Sequence, residues 1–201
     1  MWDFQVGFYI ESSPIIGSNG KLYFGCHDNK VYALDSKTGV KYWDFEVADS
    51  GAIVSSLVIG MDETLYFGTL ANRVYAVNGK TGEKKWDYGV NSGVNSSPLL
   101  TKNNELVVCS TDGTVYLIDG ESGNLVWELD PSGTQIHSNP AISASGYIYV
   151  ITKNGLVYSI NSETGSVEEQ FEIGETGDSR TSPLIDQNGG GFLINRAGSI
   201  F

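Results

Sequence analysis

Histidine and cysteine, two residue types that often carry out chemistry, are rare in this sequence. His27 and His137 are its only histidines, and Cys26 and Cys109 are its only cysteines. A histidine can serve as a general base or metal ligand, and a cysteine can serve as a nucleophile or pair in a disulfide. Neither pair has the spacing of a metal site, and the sequence contains no Gly-rich phosphate loop and no Gly-x-Ser-x-Gly elbow. We therefore expect no catalytic residue, no metal site and two reduced, half-buried thiols.

The charge balance argues against two classes of partner. The chain has 201 residues, with 12 Lys and Arg against 24 Asp and Glu, for a net charge of −12. An acidic chain without a basic stretch is unsuited to binding nucleic acid or an anionic membrane surface. No apolar run approaches the roughly 18–20 residues that span a bilayer. The first residues, Met1 to Phe4, lack the basic and apolar regions of a signal peptide, so we expect none at this N-terminus.

An internal repeat determines where the predicted strands and turns lie in the sequence. A short anchor sequence recurs five times, with its middle residue at positions 13, 56, 97, 139 and 182. The steps of 41 to 43 residues fit a repeat protein. The five copies are Ser12-Ser13-Pro14, Ser55-Ser56-Leu57, Ser96-Ser97-Pro98, Ser138-Asn139-Pro140 and Thr181-Ser182-Pro183.

Each repeat contains the pattern of four short strands. In the first copy, Leu22-Tyr23-Phe24 follows the anchor, Val31-Tyr32 comes next, and Trp43 lies in the last strand after Thr38-Gly39. The strands are rich in β-branched and aromatic residues, and turn residues separate them. A four-stranded unit of about 40–50 residues is typical of a propeller blade, and one blade cannot bury both of its faces alone. The sequence therefore predicts an all-β protein, a β-propeller of four-stranded antiparallel blades.

The blade boundaries leave the ends of the chain open to two interpretations. We predict a single domain over residues 1–201, with blades at about 12–48, 55–90, 96–131 and 138–174, and a partial fifth at 181–201. Trp2-Asp3-Phe4 matches Trp43-Asp44-Phe45, so residues 2–6 are predicted to form a fourth strand. This strand could join 181–201 in one shared blade and close a five-bladed ring. Alternatively, missing blades of a longer parent, or another copy, complete the ring.

An eleven-residue pattern marks each passage from the third strand to the fourth. It runs from Ala33 to Trp43, and its copies end at Trp86 and Trp127, while the fourth copy has Glu169 in place of Trp. Asp35 can accept N–H groups of the turn that follows it. A glycine supplies the positive φ that such a turn needs, and the indole can lie between adjacent blades. The four glycines are Gly39, Gly82, Gly123 and Gly165.

These residues resemble the pyrroloquinoline-quinone (PQQ) enzyme repeat, a propeller family in which the pattern is the tryptophan-docking motif. The resemblance covers nearly the whole chain and implies the fold. The family includes PQQ-dependent dehydrogenases and non-enzymatic scaffolds such as the lipoprotein that helps assemble outer-membrane β-barrels. In the enzymes the resemblance implies a disulfide between adjacent cysteines, a calcium ion and a catalytic Asp. This chain has no Cys-Cys pair.

A binding face is predicted at the mouth of the central channel. In a four-stranded meander, the loop before the first strand and the loop after the second lie on one face, and scaffolded loops often carry function. Polar residues of both signs converge there, although an ordinary wet channel mouth would carry similar residues. The predicted binding residues are Glu11, Asn95, His137 and Arg180 before the anchors, and His27, Asp28, Asp112, Lys153 and Arg196 after the second strands.

The sequence thus favours a non-enzymatic scaffold or protein-interaction module. Two alternatives stay open: a fragment of a PQQ-dependent quinoprotein oxidoreductase, and a propeller that binds a small molecule or glycan. We expect no cofactor, with PQQ and calcium required only by the oxidoreductase alternative. The expected partner is a protein, the missing blades of a longer parent, or a second copy in a homo-oligomer. Because the resemblance implies export, we expect a periplasmic or extracellular location.

Overall fold

A computed structural model describes residues 1–173, 182–185 and 191–192. These residues form eighteen strands. Blade 1 comprises β1 (Ile15–Ile16), β2 (Lys21–Gly25), β3 (Lys30–Asp35) and β4 (Lys41–Glu46). Blade 2 comprises β5 (Val58–Ile59), β6 (Thr64–Thr69), β7 (Arg73–Asn78) and β8 (Lys84–Gly89). Blade 3 comprises β9 (Leu99–Leu100), β10 (Glu105–Cys109), β11 (Val115–Asp119) and β12 (Leu125–Leu129). Blade 4 comprises β13 (Ala141–Ile142), β14 (Tyr147–Ile151), β15 (Leu156–Asn161) and β16 (Val167–Glu172), and a hairpin of β17 (Leu184–Ile185) and β18 (Gly191–Phe192) follows.

Each blade is an antiparallel meander in which neighbouring strands follow the chain order. The first strand of each blade has two residues and directly follows its anchor, while the second and third strands have five or six. This confirms the all-β propeller class and the four-stranded blades. Predicted strands fall where the apolar runs place them, because alternate residues of a strand face opposite sides of the sheet and both sides are buried.

The apolar core lies between blades and not within them. Tyr23, Val31 and Ala33 of blade 1 pack in one cluster with Leu65 and Phe67 of blade 2. Equivalent clusters join blade 2 to blade 3 and blade 3 to blade 4. A blade therefore gains most of its hydrophobic stabilisation from its neighbours.

An inner belt of hydrogen bonds links the anchors around the channel. The backbone N–H of Ser13 donates to Oγ of Ser56 at 2.9 Å, and that of Ser56 donates to Oγ of Ser97 at 3.0 Å. The N–H of Ser97 donates to Oδ1 of Asn139 at 2.7 Å, and that of Asn139 donates to Oγ of Ser182 at 3.0 Å. We call these five residues the anchor belt. Four of the five side chains accept a hydrogen bond in the belt, which explains why Ser or Asn occupies those middle anchor positions.

At the outer edge, an indole crosses each of the three junctions between blades 1, 2, 3 and 4. The Nε1–H of Trp43 donates to Gly79 O at 3.2 Å, that of Trp86 to Gly120 O at 3.0 Å, and that of Trp127 to Ser162 O at 3.0 Å. Trp86 is 9% exposed, whereas Trp43 and Trp127 are only partly buried. Trp86 is therefore the most deeply buried of the three indoles. Each indole belongs to the outermost strand of its sheet, where part of the ring meets solvent.

The turn that receives each indole depends on its Asx residue and its glycine. Oδ1 of Asp35 accepts the N–H groups of Lys37 at 3.0 Å and Thr38 at 2.7 Å. The four turn glycines have φ between 72° and 80°. Each also lies beneath the indole of the preceding unit, so a Cβ there would approach ring atoms to between 2.4 and 3.0 Å. Both the backbone conformation and the close approach therefore require glycine.

Residues 2–6 are predicted to form a fourth strand. Their side chains alternate between more exposed and less exposed, as in a strand, but among the described residues the segment pairs with no other strand. Trp2 nevertheless sits on Gly39 and donates its Nε1–H to Ser36 O at 3.3 Å, as the other indoles do one blade later. Pairing with the end of the chain would involve residues 193–201, which lie outside the described residues.

Truncating the most buried indole tests the outer contact. We expect Trp86→Ala to lower the free energy of unfolding by about 3–5 kcal/mol, the usual cost for a buried aromatic. Trp86→Phe keeps most of the apolar contact and removes the hydrogen bond to Gly120 O. The lost hydrogen bond should lower the free energy of unfolding by about 1 kcal/mol, in addition to the cost of the smaller ring. Urea unfolding measures both. A loss below about 1 kcal/mol for Trp86→Ala would contradict a role in joining blades.

The Asx turn predicts a pH dependence of stability. The pKa of Asp35 is lowered from 3.8 to about 2, chiefly because the backbone N–H of Thr38 donates to its carboxylate. A depressed pKa stabilises the fold above the unfolded pKa, and this stabilisation is lost as the pH falls through the folded pKa. Asp35→Asn keeps the acceptor but cannot titrate. The difference in Tm between the wild type and this variant should therefore shrink between pH 4 and pH 2.

The second blade offers a matched control, because Asn78 already accepts the same two turn N–H groups there. Asn78→Asp should introduce the acid-sensitive contribution that Asp35→Asn removes. A Tm difference that stays constant from pH 6 to pH 2 in both variants would show that the turn carboxylate does not contribute in this way.

Candidate functional site

One face of the propeller is assembled by the same backbone contact in each complete blade. The turn after the second strand donates an N–H to the segment that precedes the anchor: His27 to Tyr9 O at 2.9 Å, Leu70 to Ala52 O at 3.0 Å, Thr111 to Gly93 O at 2.8 Å and Lys153 to Gln135 O at 2.7 Å. This contact holds the residue just before each anchor and the first turn residue on the same face. We call these residues the rim: Glu11, Val54, Asn95 and His137 before the anchors, and His27, Leu70, Thr111 and Lys153 in the turns.

In blade 1 the rim brings an imidazole and a carboxylate close together beside exposed aromatic rings. Nε2 of His27 lies 3.0 Å from Oε2 of Glu11. The rings of Phe8 and Tyr9 pack edge to face with centroids 4.7 Å apart, and each lies just over 6 Å from the His27 ring. Tyr9 is 70% exposed. The structure thus brings the predicted Glu11 and His27 together and adds an aromatic surface that the sequence reasoning missed.

Asp28 follows the rim residue His27 and holds the local structure together. Its Oδ2 accepts the N–H of Gly7 at 3.2 Å and the hydroxyl of Tyr32 at 2.7 Å. Burial, and secondarily this carboxylate, raise the pKa of Tyr32 well above its ordinary value of 10. Asp28 therefore links the N-terminal residues to the first blade through hydrogen bonds. No sequence motif indicates this role.

The chemical character of the rim changes from blade to blade. Blade 2 presents Val54 and the exposed Leu70, an apolar pair that the polar prediction did not include. Blade 3 presents Asn95 and Thr111, both polar. Asp112 of the same blade makes a hydrogen bond within its own turn: its Oδ1 accepts the N–H of Thr114 at 3.2 Å.

Blade 4 presents His137 beside Lys153, whose Nζ donates to Oε1 of Gln135 at 3.1 Å. The remaining predicted rim residues, Arg180 and Arg196, lie outside the described residues. From blade 1 to blade 4, the described rim residues thus change from a carboxylate with an imidazole, to an apolar pair, to a polar pair, to an imidazole with an ammonium group.

Both cysteines are free and buried, and they belong to different blades. Burial raises the pKa of Cys109 to about 12, so its thiol stays protonated near neutral pH. Over the residues that the structure describes, no group of three or more His, Cys, Asp or Glu side chains could hold a metal ion. No helix within the same residues is long and apolar enough to cross a membrane.

Comparison with known proteins places these features in a family. Residues 27–200 match the model of the family described as outer membrane protein assembly factor BamB. Among curated proteins no match was found. The crystal structure of BamB from Moraxella catarrhalis superposes with a TM-score of 0.80 at 19% identity, over 99% of this chain and 62% of that chain.

A computationally designed protein, Ika8, superposes equally well. The TM-score is again 0.80, at 18% identity over 93% of this chain and 56% of the designed one. At these identities the superpositions show the fold alone. The chain spans less than two thirds of the length of either structure.

Proposed function

Because this chain belongs to the family of the outer membrane protein assembly factor BamB, we propose that it is a non-enzymatic β-propeller scaffold that binds protein partners through its rim. The observation that carries the proposal is the repeated backbone contact that sets residues of four blades on one face. It fixes the position of each rim side chain, while the residue type at that position is free to differ from blade to blade. A rigid frame with variable side chains is suited to recognising another protein.

The composition of the rim supports a protein partner. Exposed aromatic and aliphatic side chains, Phe8, Tyr9 and Leu70, lie on the same face as the charged and amide groups of Glu11, Asn95 and Lys153. Protein interfaces combine apolar anchors, often aromatic, with a polar surround. A surface that meets only solvent does not require exposed aromatic rings. The presence of Phe8 and Tyr9 therefore favours the binding interpretation.

The family name suggests the process in which the partner takes part. We propose that the chain acts in the assembly of outer-membrane proteins, in the periplasm, and that the rim contacts a component of the assembly machinery. The chain has no adjacent cysteine pair of the kind that the resemblance to the PQQ enzymes implies, and this supports the scaffold over the oxidoreductase.

Site-specific photocrosslinking tests this proposal. Asn95 on the rim and Lys102 in the β9–β10 turn of the same blade are both exposed. Each is replaced separately by benzoylphenylalanine in the 201-residue chain, which is directed to the periplasm of a Gram-negative bacterium. We expect irradiation to link the Asn95 variant, and not the Lys102 variant, to a component of the outer-membrane assembly machinery, identified by mass spectrometry.

The two positions lie at opposite ends of blade 3, so they control for proximity without contact. Equal crosslinking from both positions would mean that the chain is near the machinery without using its rim. Crosslinking from Lys102 alone, or from neither position, would also overturn the assignment of the rim.

A further inference from the structure

One position in the turn between the first and second strands has the same backbone conformation in all four blades but a different side chain. It lies seven residues after the middle anchor residue, and it is occupied by Gly20, Glu63, Asn104 and Gly146. The φ angles there are 76°, 66°, 62° and 90°. Glycine and asparagine adopt such angles readily, whereas a glutamate seldom does. The side chain of Glu63 therefore calls for an explanation from its surroundings.

At the junction of blades 1 and 2, this glutamate fills the space between the two turns. Glu63 is 8% exposed, and its Oε1 accepts the hydroxyl of Ser18 in blade 1. Its Oε2 lies against Gly17, 2.7 Å from the position that a Cβ of this glycine would take. Burial lowers the pKa of Lys21 in blade 1, and the nearby charge of Glu63 opposes this effect. A carboxylate, a hydroxyl donor and an ammonium group thus meet at this junction.

At the junction of blades 2 and 3, an amide takes the same place. Oδ1 of Asn104 lies 3.6 Å from the position that a Cβ of Gly60 in blade 2 would take. Its Nδ2 lies 3.0 Å from the corresponding position at Gly120. The space between the turns is therefore occupied by the protein's own side chain at both of these junctions.

The equivalent space between blades 3 and 4 is an open cavity. Gly146 has no side chain to fill it, and the cavity has a volume of about 220 Å³. Such a volume is below the range of about 300–1,000 Å³ that drug-sized ligands occupy, so it suits a smaller molecule. The lining residues all belong to blades 3 and 4 and include Thr101, Lys102, Asn103, Glu105, Gly146 and Ser162.

Two opposite charges line this cavity without a partner of opposite charge. Neither Lys102 nor Glu105 forms an ion pair with any residue that the structure describes. Oε2 of Glu105 accepts the hydroxyl of Thr101 at 3.2 Å, which is a neutral donor. A partly buried carboxylate with no cation beside it favours the binding of one.

The filled junction indicates which group each charge would receive. Lys102 has the turn position of Ser18, and Ser18 donates to the carboxylate of Glu63. Glu105 has the position of Lys21, so the charge at this position is reversed and attracts a cation instead. The groups that the open cavity lacks are therefore a carboxylate near Lys102 and an ammonium group near Glu105.

We propose that the cavity between blades 3 and 4 binds a free α-amino acid with a small side chain. Lys102 holds its carboxylate and Glu105 holds its ammonium group. Because these two residues are only three positions apart in one turn, a ligand with a short link between its charges can contact both. This site is separate from the rim and does not depend on the proposed binding of a protein partner.

A titration of the full chain with L-alanine, followed by the amide resonances of the 15N-labelled protein, tests the proposal. We expect saturable shifts of the Lys102, Asn103 and Gly146 amides. Acetate and methylammonium each carry one of the two charges, and at the same ionic strength they should bind about fivefold more weakly or less. Absence of saturable shifts, or binding of either single-charge compound as tight as that of alanine, would overturn the proposal.

Filling the cavity provides a matched pair of variants. Gly146→Asn introduces the residue that blade 3 has at this position, and the new Cβ would contact only Ser162 Oγ, at 3.3 Å. It should weaken alanine binding about tenfold or more, because the side chain occupies the ligand's place. Gly20→Asn makes the same change in blade 1, where a Cβ would meet nothing within 4 Å, and should change the affinity less than about twofold. Equal affinities of these two variants for alanine would contradict the assigned site.

Charge variants test the two contacts without changing the backbone. Lys102→Gln and Glu105→Gln should each weaken alanine binding about threefold or more, since each removes one charged partner. Lys37→Gln and Glu121→Gln remove the same charges from exposed turn residues of blades 1 and 3 and should leave binding unchanged. Losses as large in these two controls would show that the net charge of the chain, and not the cavity, governs binding.

Discussion

Every blade of this protein has two apolar faces, and only another blade can cover them. That constraint explains why the buried clusters join adjacent blades and why the same contacts recur at each described junction. The anchor belt fixes the inner end of a junction by backbone-to-side-chain hydrogen bonds. The indole fixes the outer end. Between these two points the side chains of facing strands interdigitate, so the position of each blade follows from its neighbour.

The candidate binding face depends on this frame. Each residue of the anchor belt lies two positions after a rim residue in the sequence. The hydrogen bonds that hold Ser13 or Ser56 in place therefore also restrict Glu11 or Val54. The turn contact then adds His27 or Leu70 to the same face. Neighbouring positions thus have different requirements: the residues of the anchor belt have side chains that can accept hydrogen bonds, whereas the rim residues vary in charge and size.

The sequence predicts the fold well because the spacing of the anchors and the apolar runs of the strands can be recognised without knowing any contact between distant residues. The anchor spacing and the apolar runs were sufficient to place Tyr23, Val31 and their equivalents in second and third strands. The sequence predicts contacts between blades less completely. The residues around Ser56 do not indicate that its hydroxyl accepts a hydrogen bond from the N–H of Ser13. Likewise, the local sequence does not indicate that Asp28 accepts hydrogen bonds from Tyr32 and Gly7, or that Leu70 lies on the rim. Each of these contacts depends on residues that are not adjacent in the sequence. Residues 2–6 have the pattern of a strand, but a ladder requires a partner that the pattern alone does not supply.

Native-state amide hydrogen exchange tests most directly the claim that junctions stabilise the blades. In a repeat protein, stability is approximately a sum of blade and junction contributions. Blade 2 has an indole at both junctions, through Trp43 and Trp86, whereas blade 4 has Trp127 on one side and Glu169 on the other. We predict that amides of β14 and β15 exchange through openings of lower free energy than those of β6 and β7. Equal protection of the two blades, or greater protection of blade 4, would contradict the account.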